Sequence, residues 1–182
     1  LLHQCTFMLG ATPFLQDFLA AARNRNEQVP SLRYFLCGGA AVPPDLIYEA
    51  AKQFPNCIAF RTFGATEAPT MTAGPSSRSD LRLAAETDGR LLHCEVKFTD
   101  VANGHQLKPG EEGEILVREP SMALGYARAE DNAEAYDEEG FFRMGDLGRL
   151  VEGDHIICTG RKKDLIIRAG ENISAREIED VL

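Results

Sequence analysis

The chain contains no apolar run long enough to cross a bilayer, so no helical membrane span is expected in it. It also lacks a cysteine framework. Cys5, Cys37, Cys57, Cys94 and Cys158 are odd in number and show no CxxC spacing, which argues against structural disulfides and a zinc site and for a reducing, cytoplasmic setting. His3, His93, His105 and His155 form no HExxH or similar pair, so no metal-ligand role is assigned to them. A broad cationic face is missing too: the formal net charge is −9, which speaks against a nucleic-acid partner and requires any positive field at an anion site to be local. Internal repeats and low-complexity tracts are absent. The glycine-rich segments match neither GxGxxG nor GxxxxGK[ST].

What is present fits an ordinary α/β domain, with 44% hydrophobic and 26% charged residues among 182. Thr12 and Pro13 open a helix as hydroxyl N-cap and first-turn proline, and Phe14, Leu15, Phe18, Leu19 and Ala22 recur at helical spacing. LRYFLC, residues 32 to 37, is a short apolar run of strand length. It ends in Gly38-Gly39-Ala40-Ala41 before Pro43-Pro44 starts a second helix that runs through Phe54. Residues 57 to 63 make another strand and deliver Phe63-Gly64-Ala65-Thr66-Glu67 to the same edge. Strand, small-residue loop, helix is the unit of a doubly wound sheet, and such sheets bind ligands at the carboxyl ends of their strands. An aromatic ring for stacking, a hydroxyl for a phosphate oxygen and a carboxylate for Mg²⁺ make residues 63 to 67 a plausible nucleotide grip. Taken alone, each of the two loops also reads as a simple turn.

From Leu81 the texture changes to short strands and frequent turns. Alternation in residues 95 to 100 and 114 to 119 indicates half-buried antiparallel strands, hence a small β subdomain, and Glu130 to Gly140 reads as an acidic loop. Leu147 to Val151 and His155 to Thr159 flank Glu152-Gly153-Asp154, a tight hairpin because Gly and Asp tolerate positive φ. The basic stretch Gly160 to Asp164 reads by itself as a solvated linker. After it Ser174 and Glu177 form a capping box at the start of a helix whose apolar stripe is Ile178, Val181 and Leu182. Two turns with one apolar edge need a partner surface, so the chain is expected to be a piece of a longer protein.

The segments GGAAVP (38 to 43), FGATE (63 to 67), EGEILVR (112 to 118) with Gly125-Tyr126, GFFRMGDLG (140 to 148) and TGRKKDLIIRAGENISAREIE (159 to 179), in this order, resemble the adenylate-forming acyl-CoA synthetases. These belong to the AMP-binding superfamily, which also holds luciferases, aryl-acid ligases and peptide-synthetase adenylation domains. The resemblance covers nearly the whole chain, and the form GRKKDLIIRAGENIS is closer to acyl-CoA and aryl-acid ligases than to amino-acid adenylation domains. It implies an α/β fold: residues 1–83 as the end of an α/β adenylate-binding subdomain, 84–160 as a small distorted β-barrel subdomain, and 161–182 as the hinge and first elements of a small C-terminal α+β domain.

By the same resemblance Gly39, Ala40 and Ala41 line one side of an adenine and Phe63, followed by Gly64, stacks on the other, where Tyr is usual. Thr66 touches the α-phosphate of ATP and Glu67 is the acid associated with Mg²⁺. Asp146 accepts from both ribose hydroxyls, Arg161 makes a second ribose contact, Lys163 is the hinge residue and Gly170 lines the pantetheine channel. The implied reaction joins a small-molecule carboxylic acid to AMP and then passes the acyl group to CoA, with a medium-chain, cyclic or aryl acid favoured. A carrier protein in place of CoA, a non-catalytic nucleotide-binding module, and a plain α/β scaffold remain as alternatives. The family's Ser/Thr/Gly-rich phosphate loop and its adenylating lysine are not found among the 182 residues. The 182-residue chain alone is therefore expected to release no pyrophosphate from ATP in the presence of carboxylic acids; measurable release in a coupled phosphate assay would contradict this.

Overall fold

The structure is a computed structural model describing residues 4–69, 71–168 and 171–174. The chain divides into two compact units, Leu1–Gly64 with Thr72–Arg90, and Ala65–Met71 with Leu91–Leu182.

The first unit begins with three parallel strands, β1 (Phe7–Gly10), β2 (Tyr34–Cys37) and β3 (Ile58–Arg61), joined by α1 (Thr12–Asn24) and α2 (Pro44–Gln53). This is the parallel, helix-connected arrangement expected from the sequence. Leu15 and Leu19 of α1, Phe35 of β2, Ile47 of α2 and Phe54 behind it are fully buried. Phe18 stacks on Phe54 at 4.9 Å between ring centroids and on Phe35 at 6.3 Å. Each such side chain contributes about 1.5–3 kcal/mol by leaving water. Two details of α1 differ from expectation. Ala11, not Thr12, is the N-cap, and the Thr12 hydroxyl donates instead to the Ala41 carbonyl at 2.9 Å. Phe14 does not join the stripe but is 68% exposed, because the buried arc is already filled by Leu15, Leu19 and Ala22.

A short strand β4 (Thr72–Ala73) and a helix α3 (Leu81–Glu86) complete this unit. Arg61, at the end of β3, is buried and gives both Nε (2.9 Å) and a terminal nitrogen (2.5 Å) to Asp88, with a third bond to the Ala85 carbonyl. A buried cation is tolerated only with this kind of pairing. The Cys57 thiol is pushed up to about 12 by burial, which makes it an inert core thiol, and all five cysteines are free.

The second unit is mostly antiparallel. Beyond the two-residue β5 (Arg90–Leu91), strands β6 (Glu95–Thr99), β7 (Gly113–Arg118), β8 (Phe142–Val151) and β9 (His155–Arg161) lie in the order β9-β8-β7-β6. The alternation in residues 114 to 119 predicts a half-buried strand, yet Gly113 to Val117 are all buried, because β7 is hydrogen-bonded between β6 and β8 and covered on both faces. The expected acidic loop contains a helix, α4 (Ala129–Ala135). Glu130 and Asp131 occupy its first turn, where the helix dipole favours acids, and Arg128 pairs with Asp131 at 2.9 Å. The β8–β9 turn is as expected, with Gly153 and Asp154 both at positive φ (63° and 60°). Two further strands, β10 (Leu165–Arg168) and β11 (Glu171–Ser174), pair antiparallel, so Ser174 ends a strand. The rest of the expected capping box lies outside the described residues. No helix among the described residues is long and apolar enough to cross a membrane.

Removing the Arg61 side chain takes away both guanidinium donors to the buried Asp88 carboxylate. Arg61→Ala is expected to destabilise the protein by about 3 kcal/mol, read as a lowered denaturation midpoint; a change within experimental error would mean that Asp88 finds water or another partner at little cost.

Candidate active site

In the first unit the three parallel strands stop level with one another, Gly10 opposite Cys37 and Cys37 opposite Arg61. The loops that follow β2 and β3 therefore emerge side by side. The Gly38 N–H donates to the Gly10 carbonyl at 3.3 Å and the Thr62 N–H to the Cys37 carbonyl at 3.0 Å. Gly38 lies so close to Thr62 that a Cβ there would be 2.8 Å from the Thr62 carbonyl oxygen. Gly39 turns at φ 79° with nothing near its missing side chain, and Gly39, Ala40 and Ala41 are exposed. The result is a bare backbone ledge, pinned at its far end by the Thr12 hydroxyl on Ala41.

Phe63 stands at the end of the neighbouring strand and is held by a residue that sequence reasoning did not single out. The buried Thr72 hydroxyl accepts from the Phe63 N–H at 2.8 Å and lies 3.2 Å from the Phe63 carbonyl and 3.3 Å from the Thr62 hydroxyl. Nothing in the local pattern around Thr72 marks it out. Gly39, Ala40 and Ala41 after β2 and Phe63 and Gly64 after β3 thus leave the parallel sheet at the same end.

The second unit holds the remaining candidates. Residues 65 to 68 fold into a small turn, the Ala65 N–H donating to the Ala68 carbonyl at 3.0 Å and the Ala68 N–H returning at 3.2 Å. Thr66 is exposed at its tip and Glu67 is half-buried. The Glu67 carboxylate accepts a 2.6 Å bond from the Tyr126 hydroxyl, and the Glu67 carbonyl accepts from the Ala123 N–H at 2.7 Å. That phenol is pushed up to about 12, first by its bond to Glu67, so it stays a neutral donor across the physiological range.

Asp146 and Arg161 are register partners on β8 and β9, with Nε and Oδ1 2.9 Å apart. The Asp146 side chain is 8% exposed and that of Arg161 57%. Burial raises the Asp146 pKa, and Arg161 and then Lys163 oppose it without prevailing. The physical reason is that water around the exposed guanidinium screens its attraction while the carboxylate keeps the full cost of leaving solvent. A register shift at Leu147 and Gly148 bends the ladder next to Asp146. Lys163 lies in the turn of residues 162 to 164 that follows β9, and its neighbour Lys162 bonds the buried Glu114 of β7 at 2.8 Å. Asp146, Arg161 and Lys163 are thereby brought into one electrostatic neighbourhood. Gly170 lies outside the described residues.

Residues 2–127 match the profile of the AMP-binding enzyme family. The chain belongs to that family. Among relatives, it is 40% identical over 182 residues to the medium-chain fatty-acid–CoA ligase of Escherichia coli (strain K12), covering 99% of this chain and 31% of the relative. The chain also superposes on the ATP-bound MatB of Rhodopseudomonas palustris with a TM-score of 0.84 at 29% identity, over 97% of this chain and 35% of that one. A second structure, o-succinylbenzoate coenzyme A synthetase of Bacillus subtilis in complex with ATP and magnesium ion, gives 0.81 at 29% identity over 98% and 36%. The chain thus spans about a third of the length of the relatives it matches.

Because its folded-state pKa is raised, Asp146 favours folding fully below the ordinary carboxylate range. That contribution is lost as pH rises through the folded value. Asp146→Asn keeps the shape and removes the charge, so the unfolding midpoint should rise by about 1–3 °C near pH 7, with the gain shrinking on acidification. A lower midpoint at pH 7 would mean that the pairing with Arg161 outweighs burial.

Proposed function

We propose that the full-length protein is an ATP-dependent carboxylic acid–CoA ligase that forms an acyl-adenylate and then an acyl-CoA. The observation that carries this reading is Asp146: a carboxylate buried at a net electrostatic cost, beside a half-exposed arginine, on a strand of a family built around AMP. Two fixed acceptor oxygens suit a pair of vicinal ribose hydroxyls, and Arg161 keeps the acid oriented. The ledge at Gly39, Ala40 and Ala41 and the ring of Phe63 would take the adenine from its two sides. Phe63 offers the stacking face of the more usual tyrosine and no hydroxyl, so it contributes no hydrogen bond of its own.

In the first half-reaction the acid's carboxylate attacks the α-phosphorus and pyrophosphate leaves. In the second a thiol attacks the acyl carbon and AMP leaves. Thr66, exposed on its turn, is suited to donate to an α-phosphate oxygen as negative charge grows there. Glu67 would hold Mg²⁺, which neutralises phosphate charge when bound. Its Oε1 is occupied by Tyr126, which leaves Oε2 for a hard cation. Among the described residues no group of three or more His, Cys, Asp or Glu could hold a metal, so this carboxylate fits an ion whose other ligands are phosphate oxygens and water. Lys163, solvated and in a turn directly after the strand of Arg161, suits a hinge between adenylating and thioester-forming poses. Residues 1–83, 84–160 and 161–182 are read as the adenylate-binding, β-barrel-like and hinge segments of the longer enzyme, acting in the cytoplasm on a medium-chain, cyclic or aryl acid. Gly170 is assigned to the pantetheine channel on resemblance.

A panel of carboxylic acids with the full-length enzyme tests this reading through AMP release and thioester formation on CoA. Asp146→Ala should lose ATP binding by at least about 10-fold, the equivalent of one charge-assisted hydrogen bond, while remaining folded. Thioester formation on a carrier protein instead of CoA would change the acceptor, and unaltered ATP binding by Asp146→Ala would overturn the site.

A further inference from the structure

The orientation of the Glu67 carboxylate, proposed above for the phosphate side, is set by another side chain. Its turn is already secured by main-chain bonds, Ala65 with Ala68 and Ala123 N–H with the Glu67 carbonyl. The Tyr126 hydroxyl is therefore not needed to hold residues 123 to 126 against residues 65 to 68. What it adds is a 2.6 Å bond to Oε1, in the short range of hydroxyl-to-carboxylate bonds.

Tyr126 is in turn held at both backbone ends by one side chain. Its N–H donates to Asn132 Oδ1 at 2.7 Å, and Asn132 Nδ2 donates to its carbonyl at 3.1 Å. Gly125 makes room for this clamp: it adopts φ 136°, and a Cβ there would lie 2.8 Å from Asn132 Oδ1. The Tyr136 hydroxyl, at the C-cap of α4, donates to the Ala123 carbonyl at 3.1 Å. The loop is thus fastened to the middle and the C-terminal end of a short helix, and the phenol is presented at a fixed point. Tyr126 is 41% exposed, too open for its ring to be a core residue. A tethered glutamate has already lost the rotamer freedom that a free one gives up on binding a cation.

We propose that Tyr126 is a positioning residue for Glu67: clamped by Asn132 across Gly125, it fixes one carboxylate oxygen so that the other is turned toward the divalent cation accompanying the nucleotide. This rests on the ligase reading above. It makes no direct contact with substrate part of the role of Tyr126.

The test uses the full-length enzyme with Tyr126→Phe, which removes only the hydroxyl, and Asn132→Ala, which loosens the clamp. Metal affinity is read directly from Mn²⁺ titrations of the ATP complex by electron paramagnetic resonance, alongside calorimetric AMP binding without metal. Tyr126→Phe should weaken Mn²⁺ binding about 10-fold, in line with the loss of a partner behind a metal ligand, with AMP affinity and unfolding midpoint unchanged. Asn132→Ala should shift it in the same direction. Glu67→Gln should weaken the metal further, and adding Tyr126→Phe to it should change nothing more. Unchanged Mn²⁺ affinity in Tyr126→Phe, an equal loss of metal-free AMP binding, or full additivity with Glu67→Gln overturns the proposal alone. Wild-type enzyme that binds no ATP overturns the ligase reading and this inference together.

Discussion

Strand register is the constraint from which the placement of the candidate residues follows. In the first unit Gly10, Cys37 and Arg61 stand level across three parallel strands, and the loops after them have no choice but to leave the sheet side by side. A slip of one residue in β3 would put Arg61 on the wrong face, away from Asp88. In the second unit the antiparallel register of β8 and β9 does the same work, setting Asp146 directly across from Arg161.

Three buried acids show how differently the same charge can be managed. Asp88 receives two donors from one buried guanidinium and serves the core. Glu114 is reached by Lys162 at 2.8 Å and by Arg143 at 3.7 Å, a tie between β7 and both β8 and the turn after β9. Asp146 has one well-placed cation, half in water, and burial prevails over it. A stable fold has no need of a carboxylate in that last condition, which is why it reads as a binding group.

Much of this was legible beforehand, and for identifiable reasons. The strand-loop-helix order around Gly38 to Ala41 follows from a short apolar run, small residues and a proline pair, all local signals. The β8–β9 turn follows from Gly153 and Asp154, whose positive φ their side chains permit. Thr12 misled because a hydroxyl before a proline suits a cap, and only the nearness of Ala41 drew it elsewhere. The helix in residues 129 to 135 was hidden by its acidity, since charge alone reads as loop until the first-turn acids are set against the helix dipole. Tyr126 stood in view in its Gly-Tyr pair, but its partner is 59 positions away in sequence and no local pattern could name it.

The sequence by itself determined the family, the parallel and antiparallel halves and the residue types offered for a nucleotide, because these rest on periodicity, turn chemistry and motif order. Only the tertiary structure decided which side chains those residues meet: Asp146 with Arg161, Glu67 with Tyr126, Phe63 with Thr72. Hydrogen bonds and desolvation act over a few ångströms in space, and the distances that matter to them exist only once the chain has folded.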